Sequence, residues 1–178
     1  MTEWSARTDS RLAGLPVPQS AAKTLVLGLG NPILSDDGVG IHVVRAVAGR
    51  CQQADVDFAE TSVGGLRLLE IIAGYRRVIL VDAIQTPDGC PGALYRLHPN
   101  DLRASLHTGS SHDLTLPSAL ALGRGLGLPL PQDDAITILA VEVEDTLTFG
   151  EQCSHPVQAA IPQLVQRVLA EIGTPAGP

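Results

Sequence analysis

The sequence predicts an α/β fold: a three-layer α/β/α sandwich in which about five mostly parallel strands carry helices on both faces. Apolar runs alternate along the chain with segments of helical periodicity, as in repeated strand-helix units. Of the 178 residues 44% are hydrophobic but only 3% are aromatic, so Ala, Val, Ile and Leu must form the core. Several apolar runs are continuous, which is typical of parallel strands buried on both faces.

The predicted elements follow one another as strand, turn and helix. Apolar runs indicate the strands, apolar residues three or four positions apart indicate the helices, and glycine and proline mark the turns. The run over 93–97 alternates between apolar and polar residues, which favours an edge strand. The elements are strands over 24–28, 56–59, 77–81 (ending at Asp82), 93–97 and 135–141, and helices over 41–48, 66–73, 113–126 and from about 154 onward.

The length of the chain predicts a single folded domain, because 178 residues are too few for two independent cores. Residues 1–22 are small, polar and proline-containing without a regular period, and we expect them to form a flexible N-terminal extension. The domain is then predicted over 23–173, followed by a short tail over 174–178.

Charge and cysteine content exclude several classes of protein. The formal charge of −7 and the isoelectric point of 5.0 argue against a nucleic-acid partner or an anionic membrane surface. No signal peptide and no run of about 18 apolar residues is present, so we expect a cytoplasmic protein without a membrane partner. Cys51, Cys90 and Cys153 are widely spaced and form no CxxC motif, which implies neither a disulfide framework nor a thiolate zinc site.

Candidate functional residues follow the buried strands, because ligands of open α/β sheets bind beyond the carboxyl ends of the strands. Three segments qualify: the loop 28–40, the strand end at Asp82, and the loop 109–113. The first loop contains Gly28-x-Gly30, but Ile33 occupies the third position of a dinucleotide-binding GxGxxG motif, and no phosphate-binding Gly-Lys-Ser/Thr follows. What remains is a glycine-rich turn that carries two adjacent carboxylates.

These residues allow both a structural and a chemical interpretation. Asp36 and Asp37 could cap the following helix, Asp82 could begin a turn, and His112 could be a solvated loop residue. Taken together, two carboxylates and an imidazole at one sheet edge instead predict a site for a borderline divalent metal such as nickel or zinc, with positions left open for water or substrate.

Four sequence blocks follow one another in the chain: Gly28-x-Gly30-Asn31-Pro32 with Asp36-Asp37-Gly38-Val39-Gly40, then Thr61-Ser62-Val63-Gly64-Gly65, then Val81-Asp82-Ala83, then Ser111-His112-Asp113-Leu114. Together they resemble the nickel-iron hydrogenase maturation endopeptidases, over about residues 24–172. This family trims the C-terminus of the hydrogenase large-subunit precursor. The resemblance implies a nickel-dependent endopeptidase with a phosphorylase/hydrolase-like fold.

Matched by position, the family's metal-contacting and catalytic residues are Asp37, Asp82 and His112, with Asp36 as the alternative in the first loop. The resemblance implies that the nickel is contributed by the precursor, and zinc or cadmium could substitute for it in vitro. The implied partner is the large-subunit precursor, with the protease acting as a monomer. His107 is a weaker ligand candidate, and Asp113 could orient the His112 ring.

Two alternatives belong to other functional classes. Peptidyl-tRNA hydrolases also open with a strand and Gly-Leu-Gly-Asn-Pro, but their following Arg-His-Asn motif is absent here and the acidic isoelectric point disfavours RNA. A non-catalytic, nickel-sensing chaperone would use the same ligands and bind the same precursor without shortening it.

Overall fold

The computed structural model describes residues 23–103 and 115–173, and the predicted extension, tail and loop residues His107, His112 and Asp113 lie outside this part. Within this part, five strands alternate with four α-helices except that the third and fourth strands are consecutive, and short 3-10 turns lie at Ser35–Gly38, Asp101–Arg103 and Asp133–Ala135. The elements are β1 (Thr24–Leu29), α1 (Val39–Ala48), β2 (Val56–Thr61), α2 (Leu66–Ile72), β3 (Arg77–Ile84), β4 (Leu94–Leu97), α3 (Leu116–Gly125), β5 (Ile136–Glu142) and α4 (His155–Gly173).

The strands form one sheet in the order β2-β1-β3-β5-β4. All neighbouring pairs are parallel except β4 and β5, which are antiparallel, so β4 is the edge strand that its alternating sequence predicts. The chain moves from β1 outward to β2 and then crosses back to β3 on the other side of β1. This reversal creates a topological switch point between β1 and β3, where open α/β sheets bind ligands.

Helices cover both faces of the sheet, which confirms the predicted three-layer arrangement. Alternate residues of β1 face opposite sides: Val26 packs with α1 and α4, while Leu25 and Leu27 pack with α2 and α3. Because a strand presents successive side chains to opposite faces, a strand between two helical layers is apolar at every position. This explains the continuous apolar runs of the sequence.

Most predicted element boundaries differ from the structure by one to three residues, and two of the differences lie near the strand ends. Strand β3 does not end at Asp82 but continues to Ile84, because β5 also continues and keeps pairing with it. Helix α3 begins at Leu116, where the Thr115 hydroxyl caps it by accepting a hydrogen bond from the Ser118 N–H at 3.4 Å. Among the residues that the structure describes, no helix combines the length and apolar character needed to cross a bilayer.

Candidate active site at the sheet switch point

A crevice opens where β1 separates from β3. The last residue pair between these strands is Gly28 with Val81. Strand β3 continues to pair with β5 beyond this point, beginning with Asp82 opposite Ala140. Asp82 is therefore the first residue of β3 beyond its β1 neighbour. The loop after β1, which carries Asp37, lies at the same carboxyl edge of the sheet.

Glycines bring the start of α1 close to the sheet at this crevice. A Cβ atom on Gly28 would lie 2.6 Å from the carbonyl oxygen of Gly40, and one on Gly40 would overlap the carbonyl oxygens of Val81 and Leu29. These positions require glycine because backbone meets backbone there. The glycine spacing that resembles a nucleotide-binding motif thus serves close packing of helix and sheet.

Asp37 is held by the turn that precedes it. The Asn31 backbone N–H donates a hydrogen bond to Asp37 Oδ2 at 2.6 Å, and the side chain remains partly exposed. Gly30 adopts a φ of +123°, and a Cβ atom there would overlap the Asp37 carbonyl oxygen. The glycine and the amide therefore fix the position of a carboxylate that is still open to a ligand.

Asp36 has a different, structural role. Its side chain is fully buried, and it accepts hydrogen bonds from the Ser154 N–H at 2.6 Å, the Ser154 hydroxyl at 2.9 Å and the Asp145 N–H at 3.4 Å. These bonds join the loop after β1 to the segment between β5 and α4. Both oxygens of Asp36 are thus engaged, which leaves Asp37 as the available carboxylate of this loop.

The helix-capping alternative for the two adjacent aspartates is wrong. Gly38 occupies the N-cap position of α1, and no side chain accepts a capping hydrogen bond there. Leu34 likewise precedes the 3-10 turn without a side-chain cap.

Asp82 is a partly buried carboxyl group with a strongly altered pKa. Burial raises the pKa of Asp82 to about 7, the Ala83 N–H that donates to Oδ1 at 2.9 Å opposes this rise, and the neighbouring Asp37 carboxylate adds to it. The two carboxylates lie at the same edge of the sheet, Asp37 on the loop after β1 and Asp82 on the neighbouring strand β3. A carboxyl group that titrates near neutrality in a crevice is typical of functional sites.

The structure brings together two of the three predicted site residues, Asp37 and Asp82. The third, His112, lies outside the described residues, as do His107 and Asp113. Within 23–103 and 115–173, no group of three or more His, Cys, Asp and Glu side chains could hold a metal ion. Two carboxylates can bind a divalent cation only together with ligands from elsewhere.

A cavity of about 210 Å³ adjoins Asp82 on the face of the sheet that α2 and α3 cover. Gly64 and Gly65 also line it, which agrees with the expectation that these glycines shape the crevice. The other described wall residues could not be recognised in the sequence, because they come from separate elements and look like ordinary core residues. They are Leu29, Leu68, Leu80, Leu102, Leu116 and Ile138.

Large apolar side chains are exposed on two adjoining loops at this edge. Ile33 is 49% exposed, Leu147 84% and Phe149 81%. The loops are joined by backbone hydrogen bonds, from the Gly150 N–H to the Ile33 carbonyl at 3.0 Å and from the Ser35 N–H to the Gly150 carbonyl at 2.8 Å. We call Ile33, Leu147 and Phe149 the apolar rim; such patches are common at protein-binding surfaces.

The fold and the crevice together define a class: an open α/β protein with paired carboxylates at its switch point, suited to hydrolytic or cation-assisted chemistry on a ligand bound beyond the strand ends. Comparison with known proteins makes this assignment specific. The family model for hydrogenase maturation proteases matches residues 41–171, so the chain belongs to the hydrogenase maturation protease family.

Individual relatives agree with the family match. The chain is 29% identical over 153 residues to the hydrogenase 2 maturation protease of Escherichia coli K12, covering 84% of this chain and 90% of that protein. The solved structure of a hydrogenase maturating endopeptidase, HybD of E. coli, superposes with a TM-score of 0.71 at 28% identity, covering 85% of this chain and 92% of that one. A hydrogenase 2 maturation peptidase from a Thaumarchaeota archaeon superposes with a TM-score of 0.60 at 27% identity, with 85% and 98% covered.

Proposed function

We propose that this protein is the endopeptidase that removes the C-terminal peptide from the nickel-loaded precursor of a nickel-iron hydrogenase large subunit. The observation that carries the proposal is the meeting of Asp37 and Asp82 at the switch point of a hydrogenase maturation protease. Action as a cytoplasmic monomer is part of the same proposal.

In this proposal the nickel arrives as part of the substrate. Asp37, Asp82 and His112 supply two oxygen ligands and one nitrogen ligand, a donor set that suits nickel, and zinc or cadmium could replace it in vitro. Ligands of the precursor complete the coordination. A precursor without nickel then lacks the group through which it would engage the two carboxylates.

The carboxylates also suit the chemistry of peptide hydrolysis. A water molecule must add to the scissile carbonyl carbon, lose a proton, and leave a proton on the departing amine as the C–N bond breaks. As a carboxylate in the crevice, Asp82 would accept this proton from the water and return it to the amine. The docked nickel would place the scissile bond over the crevice, where Asp82 lies.

The test is to mix the purified protein with precursor prepared with and without nickel and to measure product masses. We expect loss of a C-terminal peptide only from the nickel-loaded sample. His112→Ala should abolish this cleavage while circular dichroism stays unchanged, and His155→Ala, at an exposed histidine, serves as the matched control that keeps activity.

Three outcomes would contradict the proposal. Intact precursor in both samples would remove the enzymatic role and favour the chaperone alternative if the two proteins still bind each other. Equal cleavage with and without nickel would remove the metal requirement, and full activity of His112→Ala would remove His112 from the site.

The apolar rim supports a protein substrate, and its removal is expected to weaken binding. Leu147→Ser combined with Phe149→Ser should raise KM for the precursor by about tenfold or more with little change in kcat, because lost burial weakens binding without touching the carboxylates. Leu126→Ser is the matched control, since Leu126 is 71% exposed but follows α3 at the opposite edge of the sheet. An equal rise in KM for the control would show that the rim has no special role.

A further inference from the structure

The cavity beside Asp82 is a small apolar chamber that opens into the crevice. Its floor is the end of the sheet, with Leu29 from β1, Leu80 from β3 and Ile138 from β5. Side chains two residues apart on a strand share a face, so Asp82 lies on the same side of β3 as Leu80. The Asp82 carboxyl group therefore lines the chamber.

The opposite walls are also aliphatic. Leu68 of α2 and Leu116 of α3 face the strands, and Leu102 adds a third side chain. Leu68 is almost fully buried, whereas Leu102 and Leu116 are partly exposed and thus lie nearer the opening. The volume of about 210 Å³ is suited to one side chain and too small for a folded element.

Glycines form another side of the chamber. A Cβ atom on Gly64 or Gly65 would meet no atom of the described residues within 4 Å, and Gly65 adopts a φ of +60°. The space beside the two glycines is open, so the main chain of a peptide could approach the backbone there without a steric barrier.

The chemistry of the walls selects what can enter. Among the lining residues within 23–103 and 115–173, Asp82 is the one ionisable group, and it repels an anionic side chain whenever it is charged. A polar side chain would lose hydrogen bonds to water without regaining them on aliphatic walls. An aliphatic side chain has no hydrogen bonds to water to lose, and its burial is favourable by roughly 25 cal/mol of free energy for each Å².

We propose that this chamber is a specificity subsite that binds the aliphatic side chain of a precursor residue directly beside the scissile bond. The inference rests on the proposed function, because it takes the chain cleaved at Asp82 as the occupant. Asp82 links the two sites: a side chain in the chamber holds its own peptide group within reach of this carboxyl group. Leu116 is the specificity-determining wall residue, since it is partly exposed at the first position of α3 and belongs to no catalytic group.

The test uses nickel-loaded precursors in which the residues on either side of the scissile bond carry Ala, Val, Leu, Trp or Asp, one change at a time. The bond itself is located from the mass of the released peptide. On one side of the bond we expect Val and Leu to give the highest kcat/KM, with Trp and Asp at least tenfold lower.

Two variants of the chamber should then reorder this series. Leu116→Phe fills the chamber, so this variant should cut the Ala precursor faster than the Leu precursor. Leu116→Ala enlarges the chamber, so this variant should raise kcat/KM for the Trp precursor. Leu122→Phe is the matched control, because Leu122 is another α3 leucine, 44% exposed, that does not line the chamber. If Leu116 had only a structural role, its variants would lower kcat/KM for all precursors alike, and the order of the precursors would not change.

The outcomes separate this inference from the proposed function. Cleavage of every precursor at one rate, or an unchanged order in both Leu116 variants, would overturn the subsite while leaving the endopeptidase in place. Absence of cleavage of any nickel-loaded precursor would instead overturn the endopeptidase, and the subsite with it.

Discussion

Asp82→Asn is expected to abolish cleavage and, at the same time, to stabilise the metal-free protein at pH 8. Burial raises the pKa of Asp82 from its ordinary value of 3.8 to about 7 in the folded protein. Between these two values the folded state binds more protons than the unfolded state, so the free energy of unfolding falls as pH rises through this window. The cost reaches its full value above pH 7, where it amounts to as much as about 4 kcal/mol.

The measurement is urea or thermal unfolding of both proteins from pH 4 to pH 8, together with product masses at pH 8. Asn has the shape of Asp but no charge, so the two stability curves should nearly meet at pH 4 and separate towards pH 8, with the variant more stable. Asp88→Asn is the control, since Asp88 is exposed and should leave the curve unchanged. Parallel curves would show that ionised Asp82 does not destabilise the folded protein. A variant that still cuts the precursor would show that Asp82 is not required for cleavage.

Alanine substitutions of the two neighbouring aspartates in the first loop are expected to affect different properties: one should lower stability and the other should abolish cleavage. Asp36→Ala removes three hydrogen bonds to a buried carboxylate and leaves the N–H groups of Ser154 and Asp145 without this acceptor, so it should lower the free energy of unfolding by about 3 kcal/mol or more. Asp37→Ala removes one bond at a partly exposed site, and it should change stability by only about 1 kcal/mol but abolish cleavage.

Denaturation curves and kcat/KM per folded molecule separate the two effects. The Asp36 variant should keep cleavage once the folded fraction is taken into account at low temperature, and the Asp37 variant should fold normally and leave the precursor intact. The opposite pattern would mean that Asp36 is the residue that contacts the metal, one position earlier in the loop.

The fold could be predicted because its signals are local. A strand between two helical layers is apolar at every position, as Leu25, Val26 and Leu27 illustrate, and helical spacing marks the covering elements. Strand β3 was predicted to end at Asp82 because a charged residue breaks the apolar run. It continues because backbone pairing with β5 depends on the neighbouring strand and not on side-chain polarity.

The site could be predicted only in part. The sequence could not separate Asp36 from Asp37, because the partners that bury Asp36 are the distant Asp145 and Ser154. Nor could it show the chamber, whose aliphatic walls are assembled by tertiary packing and differ in no way from core residues. The pair Gly64-Gly65 was the one local signal that backbone is left open at this place.

The hydrogen bonds of Asp36 have a consequence for protein engineering. They join the loop that carries Asp37 to the segment that leads into α4, and that segment also carries most of the apolar rim. The two segments therefore form one exchangeable unit. A chimera meant to process a different precursor would need to receive 30–38 and 143–154 together from the same donor, since a loop transplanted alone would bring a buried charge without its partners.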